Sequence, residues 1–152
     1  MTIGERTYSI LIRDTNTQIK PMLTNSHKTV LFYPELSYEI TGALYKVHNE
    51  IGMYGREKQY GNAFEQKLKD KGILYQREII IGDSGNIADF IVDNKIIVEL
   101  KTKRILLKED YEQLQRYLQA TDIKLGVLVN FRNKYIRPVR VVKIDYVIQH
   151  SQ

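Results

Sequence analysis

The sequence predicts a mixed α/β fold with a central sheet flanked by helices. Three observations carry that reading. Two stretches with apolar residues at helical spacing precede a group of short apolar strands. A strand–helix–strand unit spans Ile96 to Phe131, long enough for a right-handed parallel crossover. Within it, Val127-Leu128-Val129 is continuously apolar, as expected of a strand buried on both faces.

Residues 1–33 read as an N-terminal appendage of unknown role, and 34–152 as one domain, a length that can bury a hydrophobic core. In the appendage, Tyr8 to Ile12 suits a short strand and Asp14 to Lys28 a loop. From Pro34, the spacing of Leu36, Ile40, Ala43, Leu44, Val47 and Ile51 predicts an amphipathic helix that stops near Gly52. A second helix runs from about Arg56 to Lys71, with Gly72 as its C-terminal cap. Its inner stripe is Glu57, Tyr60, Phe64 and Leu68, which sets a carboxylate in line with core residues. Burial of that carboxylate requires a cation, a donor or a metal nearby; the alternative is a frayed first turn in which Glu57 only favours the positive end of the helix dipole.

Leu74 to Ile81 is the next strand, followed by the turn-forming run Gly82-Asp83-Ser84-Gly85-Asn86. Ile87 to Val92 and Ile96 to Lys101 form a hairpin across Asp93-Asn94-Lys95. A helix from about Lys108 to Ala120 turns Leu107, Tyr111, Leu114 and Leu118 inward, and a strand follows over Lys124 to Phe131. Ile136 to Ile148 closes the domain as one or two strands, where Pro138 suggests an edge position or a bulge.

Composition removes several classes of chemistry. The absence of cysteine excludes disulfide scaffolds, zinc–thiolate sites, iron–sulfur ligation and cysteine nucleophiles, and suits a reducing cytoplasm. The first residues lack the pattern of a secretory signal, and no apolar run is long enough to span a membrane, so a cytoplasmic protein without a membrane partner is expected. His27, His48 and His150 are too scattered for a histidine metal site, and His48 reads first as a structural histidine. The net charge of +5 is uneven: residues 101–143 hold 11 Lys/Arg and 4 Asp/Glu, whereas the remainder holds 12 and 14. A basic second half attracts a polyphosphate partner, although a solvated basic surface gives the same count.

The chemistry lies between Ile87 and Lys101. Asp89, Glu99 and Lys101 interrupt strands that otherwise look made for burial. Residues two apart on a strand share a face, so Glu99 and Lys101 project together, with Asp89 on the neighbouring strand. A buried Glu–Lys pair gives little net stability, and a third charge beside it worsens the structural explanation. Two carboxylates instead suit a hard divalent cation such as Mg²⁺, which prefers oxygen ligands and keeps waters for substrate phosphates. Lys101 would orient or help deprotonate a water, or stabilise developing negative charge. A register condition follows. A two-residue Asp93-Asn94 turn would pair Val92 with Lys95 and set Asp89 opposite Val98, away from Glu99; a shared site needs a three-residue loop, Asp93 to Lys95, or a bulge near Asp89.

Asp89, nine residues, then Glu99-Leu100-Lys101, all after a helical glutamate, resembles the PD-(D/E)XK nuclease superfamily. Residues from about Leu36 to Ile144 resemble more closely the GxxExxY proteins, a group of predicted nucleases in it. The matching segments are Val47-His48 with Gly52, Glu57 and Tyr60, then Ala88-Asp89-Phe90 and Ile97 to Lys101, then Gln113, Tyr117-Leu118 and Val129-Asn130-Phe131. Two positions depart: Tyr54 stands where the motif has glycine, with Gly55 offset by one, and Ala88 stands where a proline often precedes the aspartate.

The resemblance implies a restriction-endonuclease-like α/β core, αβββαβ. It implies Mg²⁺, replaceable by Mn²⁺, held by Asp89, Glu99 and the Leu100 carbonyl, with Lys101 as catalytic lysine and Glu57 orienting a metal-bound water. Gln113 and Tyr117 match a Gln-x-x-x-Tyr pattern of some branches and share a helix face, so they would contact the site and the nucleic acid, unless they are an ordinary helix pair. Phosphate contacts are expected from Lys103, Arg104, Arg132 and Lys134, and further from Arg137, Arg140 and Lys143. The function so implied is metal-dependent hydrolysis of phosphodiester bonds in nucleic acid, DNA before RNA, by a monomer or a homodimer. The alternatives are a non-catalytic nucleic-acid-binding module of a larger defence or repair complex, and hydrolysis of a small phosphate ester in a closed pocket.

Overall fold

The computed structural model describes the backbone of residues 12–14 and all of residues 32–145. In chain order the elements are β1 (Ile12–Asp14), α1 (Pro34–Ile51), α2 (Glu57–Asp70), β2 (Tyr75–Ile81), β3 (Asn86–Val92), β4 (Ile96–Lys101), α3 (Lys108–Thr121), β5 (Leu125–Asn130) and β6 (Val139–Val142). The strands form one six-stranded mixed sheet in the order β1-β6-β5-β4-β3-β2. β4 and β5 run parallel, joined through α3, and the other neighbours are antiparallel. The mixed α/β architecture expected from the sequence is therefore present, with the αβββαβ order from α2 to β5.

Two apolar layers hold the helices to the sheet. Ile40, Leu44 and Val47 of α1 and Tyr60, Phe64 and Leu68 of α2 pack with Phe90, Val98, Leu100, Val127 and Val129 on one face. Leu114, Tyr117 and Leu118 of α3 pack with Ile91, Ile97, Leu128 and Val141 on the other. Hence every residue of β5 is buried, as its uninterrupted apolar run requires. α3 approaches β5 at Gly126, where an added Cβ would lie 2.7 Å from Leu114 Cδ2. Gly126→Ala is expected to lower unfolding free energy by about 1–3 kcal/mol, because an overpacked core moves side chains off their minima. Urea titration measures this, and unchanged stability would show that α3 has room to shift.

Several local expectations need correction. Leu107 does not face inward; it is 48% exposed and stands at the N-terminal boundary of α3. β6 is not the sheet edge, because β1, a piece of the expected appendage, pairs outside it in the register Ile12–Val141 to Asp14–Val139. Pro138 immediately precedes β6, so its missing N–H falls outside the ladder and no bulge is needed. The strand expected over Tyr8 to Ile12 and the loop over Asp14 to Lys28 lie largely outside the described residues, as does the end of the segment Ile136 to Ile148. No helix among the described residues is long and apolar enough to cross a membrane.

Candidate active site

The β3–β4 hairpin sets the site. Its loop holds three residues, because Val92 pairs with Ile96; Asp93 and Asn94 take left-handed φ values of 51° and 53°, and Lys95 N–H donates to Val92 C=O. The register condition read from the sequence is met by this loop. Continued past the last bridged pair, Phe90–Val98, it brings Asp89 level with Glu99.

At that level the ladder gives way to side chains. Asp89 N–H donates to Glu99 Oε1 at 2.9 Å, and Leu100 N–H donates to Asp89 Oδ2 at 2.7 Å. The β2–β3 ladder also skips this level: bridges form at Arg77–Phe90 and Ile79–Ala88 but not between Glu78 and Asp89, and Glu78 has a left-handed φ of 54°. Three strands thus open together around Asp89. A non-glycine residue in that conformation inside a strand is strained and exists only where its surroundings impose it. The sequence carries no signal for it.

Electrostatics make the acid pair unusual. Glu99 is 3% exposed. Burial, then the neighbouring Asp89 carboxylate, pushes its pKa up to about 8. The Asp89 pKa is also raised, by burial above all, although the Leu100 N–H and the charges of Lys101 and Arg77 pull it down. Lys101 Nζ lies 3.9 Å from Glu99 Oε2 and donates to Gln113 Oε1 at 3.0 Å. Tyr117, one turn further along α3, is buried with its hydroxyl donating to Ile87 C=O at 3.3 Å, and burial with Glu99 and Asp89 raises its pKa. Gln113 and Tyr117 therefore both border the acid–lysine cluster.

Glu57 faces the cluster from α2. It lies at the solvent end of the helix stripe and is exposed, a correction to the expectation of a core-aligned carboxylate. Partial burial, followed by repulsion from Asp89, still raises its pKa, while Lys101 lowers it. A cavity of about 240 Å³ opens between them, lined by Glu57, Lys58, Arg77, Glu78, Asp89 and Leu100 among others.

The turn that aims Glu57 is built on Tyr60. Its hydroxyl donates to Gly52 C=O and accepts Gly55 N–H at 2.9 Å, while its ring stacks on Phe131 at 4.1 Å. A Cβ at Gly55 would meet Ile51 at 2.6 Å and the Tyr60 ring at 2.8 Å. The glycine offset from the motif is thus where close approach demands one, and Tyr54 is left 81% exposed. His48 Nε2 is hydrogen-bonded to Asn133 C=O at 2.9 Å, which ties α1 to the β5–β6 loop and bears out a structural role.

The expected phosphate contacts divide. Lys103 Nζ is held by both Asp110 oxygens at 2.9 and 3.0 Å, and so braces the start of α3. Arg140 is buried, donating to Ser37 Oγ and Phe32 C=O, which fixes it inside the fold, and Lys143 is paired with Asp122. Arg104, Arg132, Lys134 and Arg137 form no ion pair among the described residues; Arg132 lies over the Tyr54 ring and Lys134 over that of Tyr135. Two supports had no contacts assigned from the sequence. Asp110 accepts Leu107 N–H as well as Lys103, a pattern visible as an acid in the third helical position. Asn130 accepts Lys103 N–H and donates to Lys103 C=O, fixing the chain just after Lys101.

The donor set suits a hard cation. Each carboxylate spends one oxygen on a main-chain N–H, Glu99 Oε1 on that of Asp89 and Asp89 Oδ2 on that of Leu100, and Glu99 Oε2 lies 3.9 Å from Lys101 Nζ. No group of three acidic or histidine side chains gathers into a full metal cage among the described residues. Two carboxylates with a carbonyl and waters is what Mg²⁺ accepts.

A family model, the PD-(D/E)XK nuclease superfamily, matches residues 34–142. No curated protein matches the sequence. A solved structure, "Crystal structure of SSO0001", is 20% identical with a TM-score of 0.43, covering 70% of this chain and 67% of its own.

Proposed function

The chain belongs to the PD-(D/E)XK nuclease superfamily, and from that premise we propose that it hydrolyses phosphodiester bonds in nucleic acid, DNA before RNA, with Mg²⁺ or Mn²⁺ held by Asp89, Glu99 and the Leu100 carbonyl. The observation that carries this reading is half-buried Asp89 beside buried Glu99, each carboxylate held by a main-chain N–H across the hairpin, with Lys101 Nζ 3.9 Å from Glu99. Burial above all raises both pKa values, so the charged pair costs the fold stability unless a cation compensates it. When bound, the cation polarises the phosphate and lowers the pKa of a water.

The chain's own groups divide the remaining work. Lys101, aimed by Gln113, presents an ammonium to the reacting phosphate and offsets its growing charge. Glu57, across the cavity from Asp89, accepts a hydrogen bond from the attacking water and orients it. Tyr117 closes the α3 side of the acid pair. Arg104, Arg132 and Lys134 bind backbone phosphates on loops that leave the ends of β4 and β5, and Lys103 serves them by bracing its loop. The closer likeness to GxxExxY proteins is supported by the way Tyr60 joins Gly52 and Gly55 ahead of Glu57.

The test is incubation with linear, circular and single-stranded DNA, and with RNA, in Mg²⁺, in Mn²⁺ and in chelator. Cleavage is expected in either metal, lost on chelation and lost in Asp89→Ala. Salt-sensitive binding without cleavage in any metal would replace this reading with that of a binding module.

A further inference from the structure

We propose that Arg77 is a substrate-binding residue, its guanidinium holding a phosphate of the nucleic acid in the cavity beside Asp89. This rests on the nuclease reading of the same site and adds to it a residue from β2 outside every motif recognised in the sequence.

The guanidinium is fixed on one side and free on the other. Nη1 donates to Asn62 Oδ1 at 2.8 Å and to Glu65 Oε2 at 2.6 Å, and the group lies 5.5 Å from the Phe90 ring centre. Nε and Nη2 have no acceptor among the described residues. Together these two nitrogens form the planar two-donor edge that matches a pair of phosphate oxygens.

Its position is bought by the helix opposite. Gly61 is buried inside α2, where glycine costs about 1 kcal/mol relative to alanine. A Cβ there would lie 2.6 Å from Arg77 Nη2. Glycine at this position leaves the guanidinium room against the helix. A brace between β2 and α2 accounts for Nη1 and Glu65, but not for an unpartnered edge in the cavity that Asp89 also lines.

Charge gives the cavity an order of filling. Its lining includes the carboxylates Glu57, Glu78 and Asp89 against the cations Lys58 and Arg77. Alone it repels a phosphate; with a divalent cation on Asp89 the sign reverses. Arg77 and Asp89 line the same cavity without an ion pair between them, and there phosphate oxygens would join the two.

The experiment is a salt titration of duplex DNA binding in Mg²⁺, made in the Lys101→Met background so that the duplex survives. Each phosphate contact contributes about 0.9 to the slope of log K against log salt. Arg77→Gln is expected to reduce the slope by about that amount, and Gly61→Ala, which displaces the guanidinium, to do the same. Glu65→Gln, which removes the charge opposite Nη1 and leaves Asn62 Oδ1 as its acceptor, should retain it. Should Arg77→Gln fail to fold, Gly61→Ala decides, since alanine favours the helix. Unchanged slopes in the folded Arg77 and Gly61 variants would reduce Arg77 to a brace and overturn the proposal. A parent that binds neither duplex DNA, single-stranded DNA nor RNA would instead defeat the nuclease reading beneath it.

Discussion

Glu99→Gln is expected to slow cleavage by about 1,000-fold or more while making the metal-free protein more stable at pH 8. The first effect follows from the loss of a cation ligand, since metal stabilisation of the transition state is worth several kcal/mol and each 1.36 kcal/mol is tenfold in rate. The second follows from linkage. The Glu99 carboxyl titrates near 8 in the folded chain against an ordinary value of 4.5. A carboxyl raised by folding binds more protons in the folded state than in the unfolded one, so its contribution turns against folding as pH rises. That loss begins near pH 4.5 and is complete above about 8. Glutamine keeps an oxygen for the Asp89 N–H and removes the charge.

Thermal melts in chelator at pH 5.5 and pH 8 read this directly. The parent's midpoint should fall from pH 5.5 to pH 8, and the variant should exceed it at pH 8 by several degrees, each kcal/mol being worth about 2–4 °C for a chain of this size. Added Mg²⁺ should raise the parent's midpoint and leave the variant's unmoved, because only a ligand that binds the folded state stabilises it. A variant that melts below the parent at pH 8 without metal would mean the acid pair is a structural asset, not a site kept at a cost.

Lys101→Met is expected to reduce the single-turnover rate about 100- to 1,000-fold, the usual loss when one charge-stabilising donor is removed from a transition state. Methionine preserves much of the aliphatic stem and takes away the ammonium that Gln113 holds. Cation binding should survive, because the ammonium opposes the charge of a divalent ion. The same ammonium lowers the pKa of Asp89, Glu99 and Glu57, so its removal should shift cation binding to higher pH. Calorimetric titration with Mn²⁺ beside the rate measurement separates the two roles. Loss of both together would make Lys101 a support of the acid pair and not a participant in the reaction.

The Asp89–Glu99–Lys101 cluster was legible because strands obey a strict period of two. Charged residues at fixed offsets in apolar strands declare which side they share, and the hairpin register then depends only on the residues in the loop. Glu57 was half legible: its stripe was right, but the helix begins at the site's mouth, so its first residue faces solvent where later ones face the core. Arg140 and Lys103 have protein partners that the sequence does not announce. A basic residue on a strand or loop looks the same whether its partner is a phosphate or, as here, Ser37, Phe32 and Asp110. Those partners lie on segments whose proximity no local pattern encodes.

Periodicity, turn chemistry and the cost of burying charge were enough to establish from the residues alone a mixed α/β chain with two acids and an amine meeting across a β-hairpin. Tertiary structure decided what surrounds that meeting: Gln113 on the lysine, Tyr60 under the turn before Glu57, and Arg77 threaded past Gly61 into the cavity. The division is physical. Hydrophobic spacing and strand alternation act between neighbours in sequence, whereas hydrogen bonds, desolvation and clearance of a single methyl depend on which distant segments the sheet and its helices bring within a few ångströms.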